Sequence, residues 1–154
     1  MVWSQSGIRL DMAFFVSPDS ITMKKSQTAL IILLRFCGIT ALLAIAAVFM
    51  PFQWMDVIHH QMGLGPLPDA PIVSYLSRSV SAFYATMGVF LVALSLDVER
   101  YAALIKLWGW LFIVFGTLLL GIDLSADMPT AWTISEGPFG ILAGAAMIWL
   151  SSHD

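Results

Sequence analysis

Charge is what this sequence has least of. Only 11% of its 154 residues are charged, against 59% hydrophobic, and the mean hydropathy is +0.87. A water-soluble domain carries roughly 25% charged residues to cover its surface. This chain cannot solvate its own exterior, so lipid must do so. The formal charge of −3 comes with no basic patch, which argues against a nucleic-acid partner. A single cysteine, Cys37, cannot form an intrachain disulfide, and it lies inside an apolar run. Histidine is missing from every long apolar run, which removes the axial ligands that haem held between membrane helices needs. No acid–base pair, nucleophile triad or phosphate loop is present. The "GLG" at Gly63 is too short for a nucleotide fingerprint and has no strand–helix context. Nothing in the sequence calls for an enzyme.

What the chain does have is long apolar runs, and about 18 such residues suffice for a membrane span. Spans are expected at about 28–50, 72–96, 103–122 and 134–151, the first being about 34 Å long as a helix. Only helices satisfy their own backbone in lipid when connections are this short. The expected fold is an all-α integral membrane protein, a four-transmembrane-helix bundle forming a single domain over 28–151. Residues 1–27 would be a cytoplasmic N-terminal segment and 152–154 a cytoplasmic tail. "MKKSQ" from Met23 resembles the start of a signal peptide, but the apolar run after it is long and interrupted by Arg35, which favours an uncleaved helix. The same motif makes Met23 a candidate start of translation, with residues 1–22 an extension. If translated, "IRLDMAFFV" would rest on the membrane surface.

Basic residues set the orientation. Arg9, Lys24 and Lys25 precede the first span, and Arg100 and Lys106 flank the connection between the second and third. The other two connections hold Asp56, Asp69, Asp123 and Asp127 and no lysine or arginine. The positive-inside rule then places both termini in the cytoplasm of a bacterium, with the protein in its inner membrane. Trp54 and Trp132 fall at the outer boundary, and Trp108 and Trp149 at the inner one.

The outer connection between the first two spans, "PFQWMDVIHHQMGLGPLPDAP", reads as a short interfacial helix from Phe52 to Met62 followed by a stiff loop. On that helix Phe52, Met55, His59 and Met62 share one side. Met55, His59, His60 and Met62 are therefore candidate ligands for a soft metal such as Cu(I), which favours thioether and imidazole. Against this, His59 and His60 are adjacent and project in different directions, so they do not converge. A pigment bound by either histidine is the related reading, and an interfacial loop that binds nothing is the plain one.

Charges inside spans are the second lead. An arginine in lipid costs at least about 2.5 kcal/mol, so it faces protein or reaches for the headgroups. Arg78 lies in the second span near Asp123 and Glu136 at the ends of the third and fourth, with Tyr75 on its own face. Those four are a candidate outer-leaflet cluster, either a helix staple or a site for quinone or lipid. Arg35 lies in the inner leaflet, with Asp97 and Glu99 as available partners. Gly140 and Gly144 in the fourth span, and Ser77, Ser81 and Ala85 in the second, make small-residue faces for close helix packing. Phe83, Tyr84, Phe90, Phe112 and Phe115 read as core or lipid-facing.

At Leu33–Gly38, "LLRFCG", the chain resembles the DoxX-like small bacterial membrane proteins, which have four helices with an arginine and a glycine early in the first. Some DoxX-type proteins are linked to quinone-dependent sulfur oxidation, so this resemblance implies quinone as a ligand to test, and no catalytic residue. "SYLSRSVSAFYATMGVFLVALSLDVERY" and "ISEGPFGILAG" look more like uncharacterised four-helix proteins of environmental bacteria. The expectation is a non-enzymatic accessory or scaffold subunit of a larger respiratory, photosynthetic or transport complex. Its partners would be membrane lipids and other membrane subunits. The alternatives are a quinone- or lipid-binding protein, and outer-face copper or pigment ligation.

Overall fold

A computed structural model describes residues 25–152. Met23, the 1–22 extension and His153 lie outside the described residues. Six helices follow one another: α1 (Lys25–Leu42), α2 (Ile45–Phe49), α3 (Phe52–Gln61), α4 (Pro71–Leu94), α5 (Ala102–Ser125) and α6 (Thr130–Leu150). Four stretches are long and apolar enough to cross a membrane: Lys25–Phe49, which joins α1 and α2, then α4, α5 and α6.

Proline and glycine set the boundaries. Met50 and Ala70, each before a proline, are extended (ψ 132° and 139°), because the proline ring excludes the helical region for the residue preceding it. Pro71 then opens α4 at a position whose N–H would have had no partner. α3 ends at Met62, and Gly63 (φ 81°) and Gly65 (φ 78°) take the left-handed turns that reverse the chain. The expected interfacial helix is present within one residue. Three boundaries differ from expectation. α1 starts at Lys25, before 28. α5 runs past Ile122 to Ser125, and α6 starts at Thr130, before 134. A lone aspartate does not end a helix, so Asp123 lies inside α5 and is buried.

The helices associate as two hairpins. α1 and α2 pack on α4, and α5 packs on α6; between hairpins the main contact is α1 with α6. Lipid tails are as apolar as leucine, so close backbone approach at small residues drives such pairing. A Cβ on Gly88 of α4 would lie 2.6 Å from the Gly38 carbonyl oxygen of α1 and 2.7 Å from the Leu42 nitrogen. In the other hairpin a Cβ on Gly116 would lie 2.7 Å from the Gly137 carbonyl, and one on Gly109 2.8 Å from that of Gly144. Gly144 of the expected GxxxG face is thus used within the chain.

The hydrophobic core occupies one end of the bundle. Leu30, Leu34, Leu91, Leu94, Ile105 and Met147 are almost fully buried together there. They come from the start of α1 and α5 and the end of α4 and α6. Polar contacts close the same end. Arg35 Nε donates to Ser95 Oγ (3.3 Å), whose hydroxyl donates to the Val92 carbonyl (2.7 Å). Gln27 Nε2 donates to Glu99 Oε1 (2.6 Å), and Asp97 Oδ1 accepts the Arg100 N–H (3.1 Å). Arg35 is therefore held by a serine, with Asp97 engaged in its own turn. The opposite end carries α3 and has no comparable core.

Gly116→Val should destabilise the α5–α6 hairpin by about 1–3 kcal/mol through overpacking. Gly121→Ala, where a Cβ meets no atom within 4 Å, should not. Thermal unfolding of both variants in one detergent checks the contrast.

Candidate functional site

Toward the α3 end the hairpins part and leave a cavity of about 700 Å³ lined by all four spans. The space follows from residue size. α1 offers Thr40, Ala41 and Ala44, and α6 offers Gly140, where larger side chains would have met across the bundle. Opposite them stand Tyr84 and Met87 of α4 and Phe112 and Phe115 of α5. A tilted stack of Phe90 on Trp108 (5.1 Å) and Trp108 on Phe112 (6.3 Å) closes it toward the core. On the α4–α5 side it is edged by Phe83, Val114, Phe115 and Leu118, whose side chains are largely exposed.

Its polar groups collect at the α3 end. Glu136 Oε2 accepts the Trp132 indole N–H at 2.7 Å, one turn back along α6. Ser135 Oγ is satisfied by the Trp132 carbonyl (2.9 Å). Tyr84 reaches the same region from α4, within electrostatic range of Glu136. Asp123 of α5 is also within that range but does not line the cavity; it is only 4% exposed, and its Oδ2 has no hydrogen-bond partner among the described residues. A buried polar atom without a partner costs about 1–3 kcal/mol. Pro138, inside α6, adds a main-chain acceptor: lacking an N–H, it leaves the Ile134 carbonyl without its usual helical donor.

Arg78 takes no part in this cluster. It is exposed, and its Nη2 donates to the Met50 carbonyl at 3.2 Å, tying α4 to the end of α2. Tyr75 is exposed as well. Of the expected set, the structure brings Glu136 and Asp123 together and leaves Arg78 and Tyr75 apart from them. Sequence reasoning missed Tyr84 and Trp132. The run of small residues at Thr40, Ala41 and Ala44 was the available signal for a space facing them.

α3 and the loop after it cap this end. His59 Nδ1 donates to the Gly65 carbonyl (2.8 Å), and Asp56 Oδ1 accepts the Leu67 N–H (2.7 Å). These two side chains fold the loop back onto the helix. Beneath it lies a second, smaller chamber of about 290 Å³ that opens to the surface, lined by Met50, Met55, His59, Met62 and, from below, Trp132. His60 is exposed and lies off this chamber. Comparison with protein-family models, with curated proteins and with solved structures returned no match.

Asp56→Ala should free the Leu67 amide at a cost of about 1 kcal/mol, the net worth of one such hydrogen bond or somewhat more. Hydrogen exchange should then rise across residues 63–70 while α4 to α6 stay protected.

Proposed function

We propose that this chain is a membrane protein that holds a lipid-soluble ligand, an apolar body with one polar head of quinone or lipid type, between its two hairpins. The observation that carries this reading is the cavity of about 700 Å³ bounded by all four spans. Ligand sites are typically cavities of about 300–1,000 Å³ with mostly apolar walls and a few convergent polar groups. Here those groups are the Glu136 carboxyl and the Tyr84 hydroxyl, with aromatic rings lining the remainder. The largely exposed side chains between α4 and α5 give a ligand dissolved in the bilayer a lateral way in. An intramembrane acid is costly to keep, which favours a role for Glu136 beyond packing.

The roles of the residues follow from their chemistry. Glu136 accepts or donates a hydrogen bond at the ligand head according to its protonation, and Trp132 orients it. Tyr84 offers a hydroxyl that forms no hydrogen bond among the described residues. Phe112 and Phe115 flank the apolar body. No bond is made or broken, so the protein acts as a binder. The same reading places the chain in a bacterial inner membrane with both termini cytoplasmic, on the distribution of its lysines and arginines. An accessory-subunit role is compatible with it, since a carried ligand has to be passed on.

The test uses the intact protein in mild detergent and a short-chain ubiquinone analogue as probe. Quinones quench indole fluorescence, and Trp108 and Trp132 both line the cavity. Saturable quenching is expected. Ala44→Phe, which fills the cavity, should abolish it, and Glu136→Gln should weaken it about tenfold, equivalent to about 1.4 kcal/mol. Mass spectrometry of lipid extracted from the untreated protein covers the lipid case: a stoichiometric lipid lost in Ala44→Phe supports the same site. Linear, non-saturable quenching together with no retained lipid would refute the reading.

A further inference from the structure

The chamber under α3 was not absorbed by the reading above, and its lining is chemically specific. Met55, His59 and Met62 lie on one face of α3 at steps of four and three residues, and Met50 joins them from the end of α2. Three thioethers and an imidazole thus border one space of about 290 Å³. The geometry points to a Cu(I) site in this chamber, with Met50, Met55, Met62 and His59 as the donor set.

The state of His59 carries the inference beyond composition. Its Nδ1 lies 2.8 Å from the Gly65 carbonyl oxygen, which can only accept, so Nδ1 bears the proton. In the neutral ring this tautomer leaves the lone pair on Nε2. Histidines that bind metals are held in this way, with the second ring N–H given to a carbonyl that fixes tautomer and ring orientation. The carbonyl is itself fixed, because the Asp56 carboxylate holds the same loop two residues further on, at the Leu67 N–H. Asp56 is thereby engaged outside the chamber.

Charge and softness select the ion. Among the described residues no group of three or more histidine, cysteine, aspartate or glutamate side chains converges, which disfavours zinc and hard divalent ions. Thioether sulfur with imidazole suits Cu(I). The three thioethers carry no charge, and of the remaining lining residues Ala47, Ile58, Leu64, Leu67 and Trp132 are apolar or aromatic, with Ser77 the one hydroxyl. Desolvation cost rises with the square of charge, so such a chamber admits a monovalent ion far more readily than a divalent one. His60 is no part of the site.

The experiment titrates the full-length protein in detergent with Cu(I), under reductant, against the chromogenic chelator bicinchoninate. A Cys37→Ala background removes the one thiol. One equivalent of Cu(I) per chain should be withheld from the chelator, while Zn(II) is not bound. X-ray absorption should show sulfur and nitrogen neighbours together. Met55→Leu with Met62→Leu conserves side-chain volume and should weaken binding about tenfold or more, whereas His60→Ala should leave it unchanged. Complete surrender of Cu(I) by the parent protein overturns the site, as does full retention by the double leucine variant. Should that variant not fold, the parent's absorption spectrum decides, since a first shell without sulfur also overturns it. Ala44 lines the larger cavity and not this one, so loss of quinone binding and loss of copper binding are assigned to different walls.

Discussion

Backbone contact at glycine is the constraint on which this bundle rests. Gly38 with Gly88, and Gly116 with Gly137, bring main chains to a distance at which a single Cβ would intrude. Between helices this apolar on every side, the pairs that approach closest dominate the architecture. Here both close pairs lie inside hairpins. The contact between hairpins falls to bulky side chains, which are buried where Leu30, Leu34, Leu91 and Met147 meet, with one ring pair outside that layer, Phe36 and Phe139 (6.4 Å). Beyond that layer the hairpins face each other across small residues, and a space results.

The polar groups follow the same division. At the packed end most are matched, Arg35 with Ser95, Gln27 with Glu99 and Asp97 with a backbone amide, while the Trp108 indole nitrogen beside the core has no hydrogen-bond partner among the described residues. At the α3 end they are left partly unmatched, with Asp123 Oδ2 orphaned and Glu136 satisfied by one indole. A polar side chain held away from water without a full set of partners is costly for a fold to keep. Glu136 lines the cavity, while Arg78 is turned to the Met50 carbonyl and forms no staple with it.

Much of this was legible in the sequence. Hydropathy located the four spans because length and apolarity decide which helices fit a bilayer, and Pro51, Gly63 and Gly65 bracketed α3 because their backbone demands are local. What hydropathy does not encode is the rotation of each span about its axis. Arg78 and Glu136 lie at matching depth, which suggested a pair, but they face different neighbours. Tyr84 read as one more core or lipid-facing aromatic for the same reason. Asp123 looked like the end of a span, although the helix continues around it. His59 was half legible: its face on α3 followed from spacing, while its partner carbonyl depended on how the loop folds back.

Trp132 stands in the wall of both chambers. Its indole N–H is committed to Glu136 below, and its ring bounds the space under α3 above. Any occupant that re-orients this ring therefore alters the other chamber as well, and thermodynamic linkage makes the effect mutual: whatever one guest does to the affinity for the second, the second does to the first by the same factor. A single side chain is thus the physical route by which occupancy of one compartment would be felt in the other.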